Sequence, residues 1–385
     1  MQTVSGDRGL MDVMEQNVGY TRVLFMDDDV EIFPESFYRT LILSNYLKEE
    51  FKDSFINGAM LDLYDKSKFF ENISMQHGLW LTGYYNNLDV TEYNNILKTN
   101  DIPPEIFGNR QRYTSSAWWY CSFPLDFAKN NGLSIPIFFR GDDAEWSWRA
   151  CGVQIISMNG ICIWHAAFEW RVSKVADYYY LPRNMFFLNS IYNRNFKTQY
   201  SNYFKERYNY LIKTYEYTSL DLLLKSMKDI LKGSNIFREN PEEQFKNINQ
   251  IAKQVEYRTA TNDEIETAQN GYFKSKKWRK KLVKYIDNSF IKIPKFLFKK
   301  HAIVSEWYPP VEAFALVREV AVVNLFTNKT TIRRYDRKRT LYYKKEFYKL
   351  LKQIDNNYDK LHTDYINAHK EFSTFEFWEK YLELK

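Results

Sequence analysis

A short apolar strand that runs directly into three acidic residues constrains this chain more than any other feature. The strand is predicted at Val23 to Met26, and Asp27, Asp28 and Asp29 follow it without a break. Open α/β sheets bind ligands beyond their strand ends, which favours a binding site over a solvated acidic turn. Side chains alternate along an extended chain, so Asp27 and Asp29 can point to one side and Asp28 to another. Their carboxylate oxygens suit a hard divalent cation, Mg²⁺ or Mn²⁺.

A second acidic pair, Asp142 and Asp143, lies immediately before a predicted helix. The helical pattern runs from Ala144 to Ala150 and ends at Gly152. Acids at a helix start are common as N-caps and as partners of the helix dipole, so this pair alone is a weak indication of catalysis. The functional interpretation is that one of the two carboxylates takes a proton from a substrate hydroxyl.

A histidine, His165, follows the acidic pair after a predicted β-hairpin. Two predicted strands, Val153 to Ser157 and Ile161 to Trp164, flank Asn159-Gly160, which is a turn signal. A lone histidine between a tryptophan and an alanine is more often a satisfied core residue than a ligand. In a chain that also carries the spaced acids, this histidine could complete the coordination shell of the cation.

Five motifs occur in one order along the chain and carry a resemblance to a known family. They are MDDDV at Met26 to Val30, NGAMLD at Asn57 to Asp62, AWWYCSFP at Ala117 to Pro124, FFRGDDAEWSWR at Phe138 to Arg149, and IWHAAFEW at Ile163 to Trp170. Together they resemble the galactofuranosyltransferase branch of the inverting, metal-dependent GT-A glycosyltransferases. The resemblance implies an α/β fold with a Rossmann-like GT-A core, followed by a largely α-helical C-terminal region.

The resemblance also implies the residues that hold the donor. Asp27, Asp29 and His165 match the ligands of the metal, Mn²⁺ or Mg²⁺, that bridges the diphosphate of a UDP-sugar. Asp28 is expected to face ribose or sugar hydroxyls. Arg8 belongs to a short segment that resembles the end of a glycine-rich donor loop.

The acceptor side of the site is implied in the same way. Asp143 matches the catalytic base, and Asp142 matches its neighbour near the acceptor. Trp118 and Trp119 match a tryptophan pair that lines the acceptor pocket. Because neighbouring side chains on a strand point to opposite faces, we expect one indole to stack on an acceptor sugar while the other packs inward.

The resemblance is incomplete at its start. In this family the chain before the DDD strand holds the first strands of the sheet and the loops that grip uracil and ribose, whereas only Met1 to Met26 precede it here. Ser5 to Gly9 resembles the end of the donor loop, and helical spacing follows from Leu10 to Gln16. We expect a GT-A core that is truncated at its N-terminus or whose start is misassigned; donor binding by other means is the alternative.

The resemblance implies transfer of galactofuranose from UDP-galactofuranose to a growing cell-surface glycan, which is either a polysaccharide or lipid-linked. The acidic motifs do not by themselves determine which sugar is transferred. A transferase of the same fold that uses another nucleotide sugar, such as an activated rhamnose, is therefore an open alternative. An inactive, truncated glycan-binding or scaffold protein is a third interpretation. Three cysteines without CxxC spacing indicate neither a zinc site nor a disulfide framework.

Length and charge suggest how the rest of the chain is organised. With 385 residues, we expect a catalytic core over residues 1–195 and a helical region over 196–385, including an apolar helix from Val311 to Phe326 and a role in oligomerisation. Lys274 to Lys300 interleaves basic and apolar residues, which suits either an anionic membrane surface or a solvated helix. Nucleic acid is a poorer partner because no recognised binding motif accompanies the charge. No apolar run reaches about 18 residues, so we expect a cytoplasmic protein that is peripheral at the membrane.

Overall fold

A computed structural model describes residues 2–16, 19–77, 80–100, 114–150, 154–166, 173–193, 196–270, 299–307 and 309–382. Its helices are α1 Gln2–Gln16, α2 Pro34–Tyr46, α3 Tyr93–Asn100, α4 Leu125–Asn131, α5 Asp142–Arg149, α6 Leu181–Tyr192, α7 Lys197–Lys213, α8 Tyr217–Ile230, α9 Pro241–Ala252, α10 Asn262–Gln269, α11 Arg337–Phe372 and α12 Phe375–Tyr381. Its strands are β1 Arg22–Met26, β2 Phe55–Asp62, β3 Lys68–Glu71, β4 Ile73–His77, β5 Trp80–Gly83, β6 Asn86–Asp89, β7 Thr114–Ser116, β8 Tyr120–Pro124, β9 Ile155–His165, β10 Arg258–Thr259, β11 Lys299–Ser305, β12 Val317–Asn324 and β13 Lys329–Arg334.

The chain divides into two compact units that are each discontinuous in sequence. Unit 1 contains residues 1–171, 184–196 and 362–385, and unit 2 contains residues 172–183 and 197–361. Unit 1 carries all of the residues that the sequence singles out as site candidates. Unit 2 is mostly helical and also contains a four-stranded sheet in the order β10-β13-β12-β11.

The main sheet of unit 1 has six strands, and its pairing is mostly antiparallel. The order is β1-β8-β2-β3-β6, with β9 paired to β2. Among the described strands of this sheet, only β2 and β9 pair in parallel. The sheet therefore differs from the largely parallel arrangement that a Rossmann-like core would have, although the mixed α/β class and the mostly helical C-terminal region are confirmed.

The core of unit 1 forms around helix α5, because its apolar side chains face the sheet. Trp146 is fully buried and meets Phe123 and Phe127 edge to face, with ring centroids 5.2 Å and 5.1 Å apart. On the opposite face of the same helix, the Trp148 ring meets the Tyr192 ring of α6 edge to face, with ring centroids 5.6 Å apart. Aromatic pairs in this geometry stabilise beyond the area that they bury. The helix that begins with the acidic pair is thus fixed along its length.

The hairpin predicted before His165 is wrong, because β9 is one continuous strand through that region. Gly160 has a φ of +88°, and the pairing of β9 with β2 shifts register at this point. The turn signal at Asn159-Gly160 is overridden by tertiary contacts. The Asn159 side chain donates to the Ile96 carbonyl at 2.7 Å and accepts from the Thr99 hydroxyl at 3.0 Å. The residues that signal a turn instead form an irregularity within a strand.

Two further expectations about local structure are wrong. The apolar helix predicted at Val311 to Phe326 consists of a single 3-10 turn at Val311–Ala313 and strand β12. The β-branched run around Val320 to Val323 is buried and packs better on a pleated sheet than in a helix. Ser5 to Gly9, expected to end a donor loop, lies inside helix α1.

Candidate active site

The first acidic group and His165 meet because two strands end at the same place. Asp27 directly follows β1, and His165 is the last residue of β9. The chain after the acids then bridges back to the end of β9, since Glu31 and Trp164 exchange two backbone hydrogen bonds of 2.8 Å. This antiparallel bridge draws Asp29 towards His165. The Nε2 atom of His165 lies 3.2 Å from Oδ1 of Asp29.

Asp27, Asp29 and His165 form a group that could hold a metal ion. One ligand atom from each residue lies within 4.8 Å of the others. His165 is buried, whereas 46% of the Asp29 side chain is exposed, so the group opens to solvent on one side. Burial raises the pKa of Asp27 to about 6; His165 opposes this shift, and the neighbouring acids add to it. Two carboxylates and an imidazole are a donor set that suits Mn²⁺ or Mg²⁺, so these residues fit the implied metal.

The acidic pair begins helix α5 and is electrostatically linked to this group. Asp142 is among the acids that raise the pKa of Asp27, and it also raises the pKa of Asp143. Burial is the largest cause of the raised Asp143 pKa, which the backbone N–H of Ala144 and the charge of Arg140 oppose. The Ala144 N–H donates to Oδ1 of Asp143 at 2.7 Å. The charges of the metal-ligand candidates and of the acidic pair therefore act on one another, and the role of Asp143 as the base stays a prediction.

Two charged residues at this site, Glu71 and Arg140, were not predicted from the sequence. Glu71 ends β3, accepts a 2.7 Å hydrogen bond from the Ser74 hydroxyl, and adds to the raised pKa of Asp143. Arg140 lowers the pKa of both Asp143 and Glu71. The position of Arg140, two residues before the acidic pair, was the available signal. No local feature of the sequence indicates Glu71, because it lies far from the acidic pair in sequence and is brought near it by the sheet.

The tryptophan pair is placed differently from the prediction. Trp118 and Trp119 lie in a turn before β8, which begins at Tyr120, so the alternation of a strand does not apply to them. Both side chains are buried, with 3% and 6% of their surface exposed. The Trp119 indole N–H donates to the carbonyl of Gly58 at 2.8 Å. Both indoles pack inward in this structure, and a role for the pair in lining the acceptor pocket stays a prediction.

The two residues predicted to bind the donor are both exposed. Asp28 lies in the turn after β1 and is close enough to Asp27 to raise its pKa. Arg8 is an exposed residue of helix α1. Their roles stay predictions.

The basic segment from Lys274 to Lys300 lies outside the described residues, apart from its last two, which begin β11. The membrane contact predicted from it is therefore untested. Among the helices of the described residues, none combines the length and the apolar character needed to cross a bilayer.

Comparison with known proteins gives two related matches. The chain is 25% identical over 246 residues to galactofuranosyltransferase GlfT2 of Mycolicibacterium smegmatis, and 26% identical over 174 residues to galactofuranosyltransferase GlfT2 of Mycobacterium tuberculosis. These alignments cover 61% and 43% of this chain, and only 38% and 27% of the two relatives. No protein-family model matches the chain. The chain is thus distantly similar to a galactofuranosyltransferase of the GT-A glycosyltransferases, as the motifs indicated.

Proposed function

We propose that this chain is an inverting, metal-dependent glycosyltransferase with a GT-A core, which transfers galactofuranose from UDP-galactofuranose to a cell-surface glycan. The distant similarity to galactofuranosyltransferases supports the reaction class. The observation that carries the proposal is the group of Asp27, Asp29 and His165, whose ligand atoms lie within 4.8 Å of one another. This group of carboxylates and imidazole suits a metal diphosphate, and the charge of Asp142, which raises the pKa of both Asp27 and Asp143, relates it to an acid suited to proton transfer.

The donor side of the site would be formed by the first acidic group. Asp27, Asp29 and His165 are the residues that would hold a divalent cation. Such a cation, when bound, supplies positive charge beside the donor diphosphate. We assign to Asp28 contacts with the ribose or sugar hydroxyls, because its side chain is exposed beside the metal-ligand candidates. Arg8 is the remaining candidate for donor binding.

Asp143 would act as the base. The acceptor oxygen forms a bond to the anomeric carbon while the bond from that carbon to the diphosphate oxygen breaks. Asp143 takes the proton of the acceptor hydroxyl, and UDP leaves. A single displacement of this kind inverts the anomeric centre. Burial raises the pKa of Asp143, which strengthens the carboxylate as a base, and Arg140 limits the rise so that the charged form stays accessible.

The acceptor is proposed to be a polysaccharide or a lipid-linked glycan. Trp118 and Trp119 are buried beside the core, so we propose that they support the wall of the acceptor pocket from behind. Replacing each by alanine should therefore raise the acceptor KM together with a loss of stability. A change in acceptor KM without a change in stability would instead indicate direct stacking on a sugar.

The base assignment is tested by Asp143→Asn, which keeps shape and removes charge. We expect transfer from UDP-galactofuranose to fall by about 10² to 10⁴, because a positioned base contributes about that factor. Binding of Mn²⁺ with UDP, measured by calorimetry, should remain close to that of the unmodified chain. Asp126→Asn is the matched control, since Asp126 is an exposed acid in the first turn of α4. Near-normal turnover in Asp143→Asn would refute the assignment.

The metal and the donor are tested separately. Titration with Mn²⁺ in the presence of UDP should show much weaker binding in Asp29→Ala and unchanged binding in Glu35→Ala, whose exposed carboxylate pairs with Arg39. Equal binding by both variants would contradict the ligand assignment. Faster transfer from a nucleotide-linked rhamnose than from UDP-galactofuranose would retain the reaction class and reject the proposed sugar.

A further inference from the structure

The turn before the acidic pair has an unusual backbone. Phe139 and Arg140 have φ values of +54° and +56°, and Gly141 has a φ of +102°. Residues with a side chain rarely adopt the left-handed region, and consecutive ones persist only when their surroundings hold them. The next two residues are Asp142 and Asp143. The conformation of this turn therefore determines where helix α5 starts and how its first side chains point.

One buried side chain binds this turn. The Nδ2 atom of Asn184 lies 3.1 Å, 2.5 Å and 2.9 Å from the carbonyl oxygens of Phe138, Phe139 and Arg140. Asn184 is fully buried on helix α6. An amide group has two hydrogens to share among these three acceptors, so its donors are fully engaged by the turn. Carbonyl groups that a regular helix or strand would satisfy are satisfied here by Asn184.

Helix α6 supports the turn at a second place. A Cβ added to Gly141 would lie 3.4 Å from the Met185 side chain and 3.5 Å from the Leu188 side chain. The same helix also reaches α5, since the Tyr192 hydroxyl donates to Oε1 of Glu145 at 2.7 Å. Helix α6 is thus packed against both the turn and the helix on either side of the acidic pair.

We propose that Asn184 is a positioning residue that holds the turn at Phe138–Gly141 and so fixes the orientation of the Asp142 and Asp143 carboxylates. The effect of Asn184 passes through the three carbonyl groups to the first turn of α5. Arg140 lies within the held turn, and its charge favours the ionised form of Asp143. The expected effect of Asn184 on the reaction rate rests on the proposed function. Its effect on the conformation of the turn rests on the hydrogen bonds alone.

The test compares Asn184→Asp with Asn189→Asp. The first change keeps the shape and volume of the side chain. It removes the N–H groups that donate to the carbonyl oxygens of the turn. Asn189 lies on the same helix, is equally buried, and donates to the Met185 carbonyl at 2.8 Å within the helix. We expect Asn184→Asp to lower kcat by about 10- to 100-fold, the effect of displacing a catalytic group by about 1 Å, with little change in donor KM. Asn189→Asp should lower kcat much less.

Hydrogen exchange followed by mass spectrometry gives a measure that does not depend on activity. In Asn184→Asp, protection should fall in the peptide that covers residues 138–145, while the rest of unit 1 stays as in the unmodified chain. Unchanged exchange in that peptide would overturn the inference, as would a kcat within twofold of normal. A chain without transferase activity would overturn the proposed function, and the exchange experiment would still decide the role of Asn184.

Gly141→Ala provides a second route to the same answer. It strains the left-handed residue at the end of the turn and leaves the buried amide in place. We expect the same lowered kcat and the same local loss of protection. If Asn184→Asp does not fold, Gly141→Ala decides whether the conformation of the turn positions the acidic pair, and normal kcat with normal exchange in Gly141→Ala would reject the inference.

Discussion

The buried carboxyl of Asp7 allows the strongest quantitative prediction about stability. Asp7 lies on α1 and is fully buried, where its Oδ1 atom accepts from the backbone N–H of Ser134 at 3.1 Å and its Oδ2 atom accepts from the Ser134 hydroxyl. The Ser134 carbonyl in turn accepts from the indole N–H of Trp378 at 2.8 Å. Burial raises the Asp7 pKa from 3.8 to about 7, while Ser134 and Arg149 oppose the rise.

The sign of the effect follows from which state holds the proton. The folded protein keeps the Asp7 proton up to a pH of about 7, whereas the unfolded chain releases it near 3.8. Stability is therefore lost as the pH rises through this window, because the Asp7 carboxyl ionises in the unfolded chain while it stays protonated in the folded protein. Each pH unit changes the free energy of unfolding by about 1.4 kcal/mol, so the full window corresponds to about 4 kcal/mol.

Asp7→Asn removes this proton linkage and keeps the shape of the side chain. The amide oxygen can accept from the Ser134 N–H, and the amide nitrogen can donate to the Ser134 hydroxyl. Unfolding by urea should show the variant gaining about 3 kcal/mol relative to the unmodified chain between about pH 4.5 and about pH 6.5. Asp12→Asn, at an exposed position of the same helix, is the control. Parallel stability curves for the unmodified chain and Asp7→Asn would refute the reasoning.

Three further predictions concern the sheet, helix α5 and the base. Gly58→Ala should destabilise the protein by about 1–3 kcal/mol, measured by urea unfolding, because the added Cβ would lie 2.7 Å from the Tyr120 side chain; an unchanged midpoint would contradict the close packing. Arg149→Met should cost about 3–5 kcal/mol in the same assay, because it leaves the fully buried Glu145 carboxylate without its 2.5 Å guanidinium partner; a loss below about 1 kcal/mol would show that the other contacts suffice. The transfer rate should fall as the pH drops through the raised pKa of Asp143, since the base must be ionised, and a kcat/KM that is flat from neutral pH to about pH 5 would contradict this.

The sequence predicts the positions of site residues only where they directly follow or begin an element that has its own apolar pattern. The strand before Asp27 and the helix after Asp142 could be predicted because each has its own apolar pattern and a clear boundary. The contribution of Glu71 could not, because it depends on the register between β2 and β3, which no local signal in the sequence specifies. The contact of Asn184 with the turn before the acidic pair depends in the same way on how α6 packs.

Helix α5 shows why a charged residue inside a helix can be misjudged from sequence. Glu145 is fully buried, although its sequence neighbours suggest an ordinary first-turn acid. Burial by itself raises its pKa, but Arg149 and His369 outweigh that effect and hold the pKa at about 2. The ring of His369 lies 2.8 Å from Oε1 of Glu145. This arrangement joins residues separated by more than half of the chain, so spacing alone could not indicate it.

Three strands of unit 1 end at one edge of the main sheet, although the pairing of this sheet is mostly antiparallel. Strand β8 runs antiparallel to both β1 and β2, so β1 and β2 point in the same direction, and β9 is parallel to β2. All three strands therefore end at one edge, which brings Asp27 and His165 together. Asp62, at the end of β2, has another task there, since its Oδ1 atom accepts from the backbone N–H groups of Tyr64 and Asp65 at 2.8 Å and 3.2 Å. The direction in which each strand runs therefore determines which side chains at the strand ends can bind one ligand. Whether neighbouring strands pair parallel or antiparallel does not.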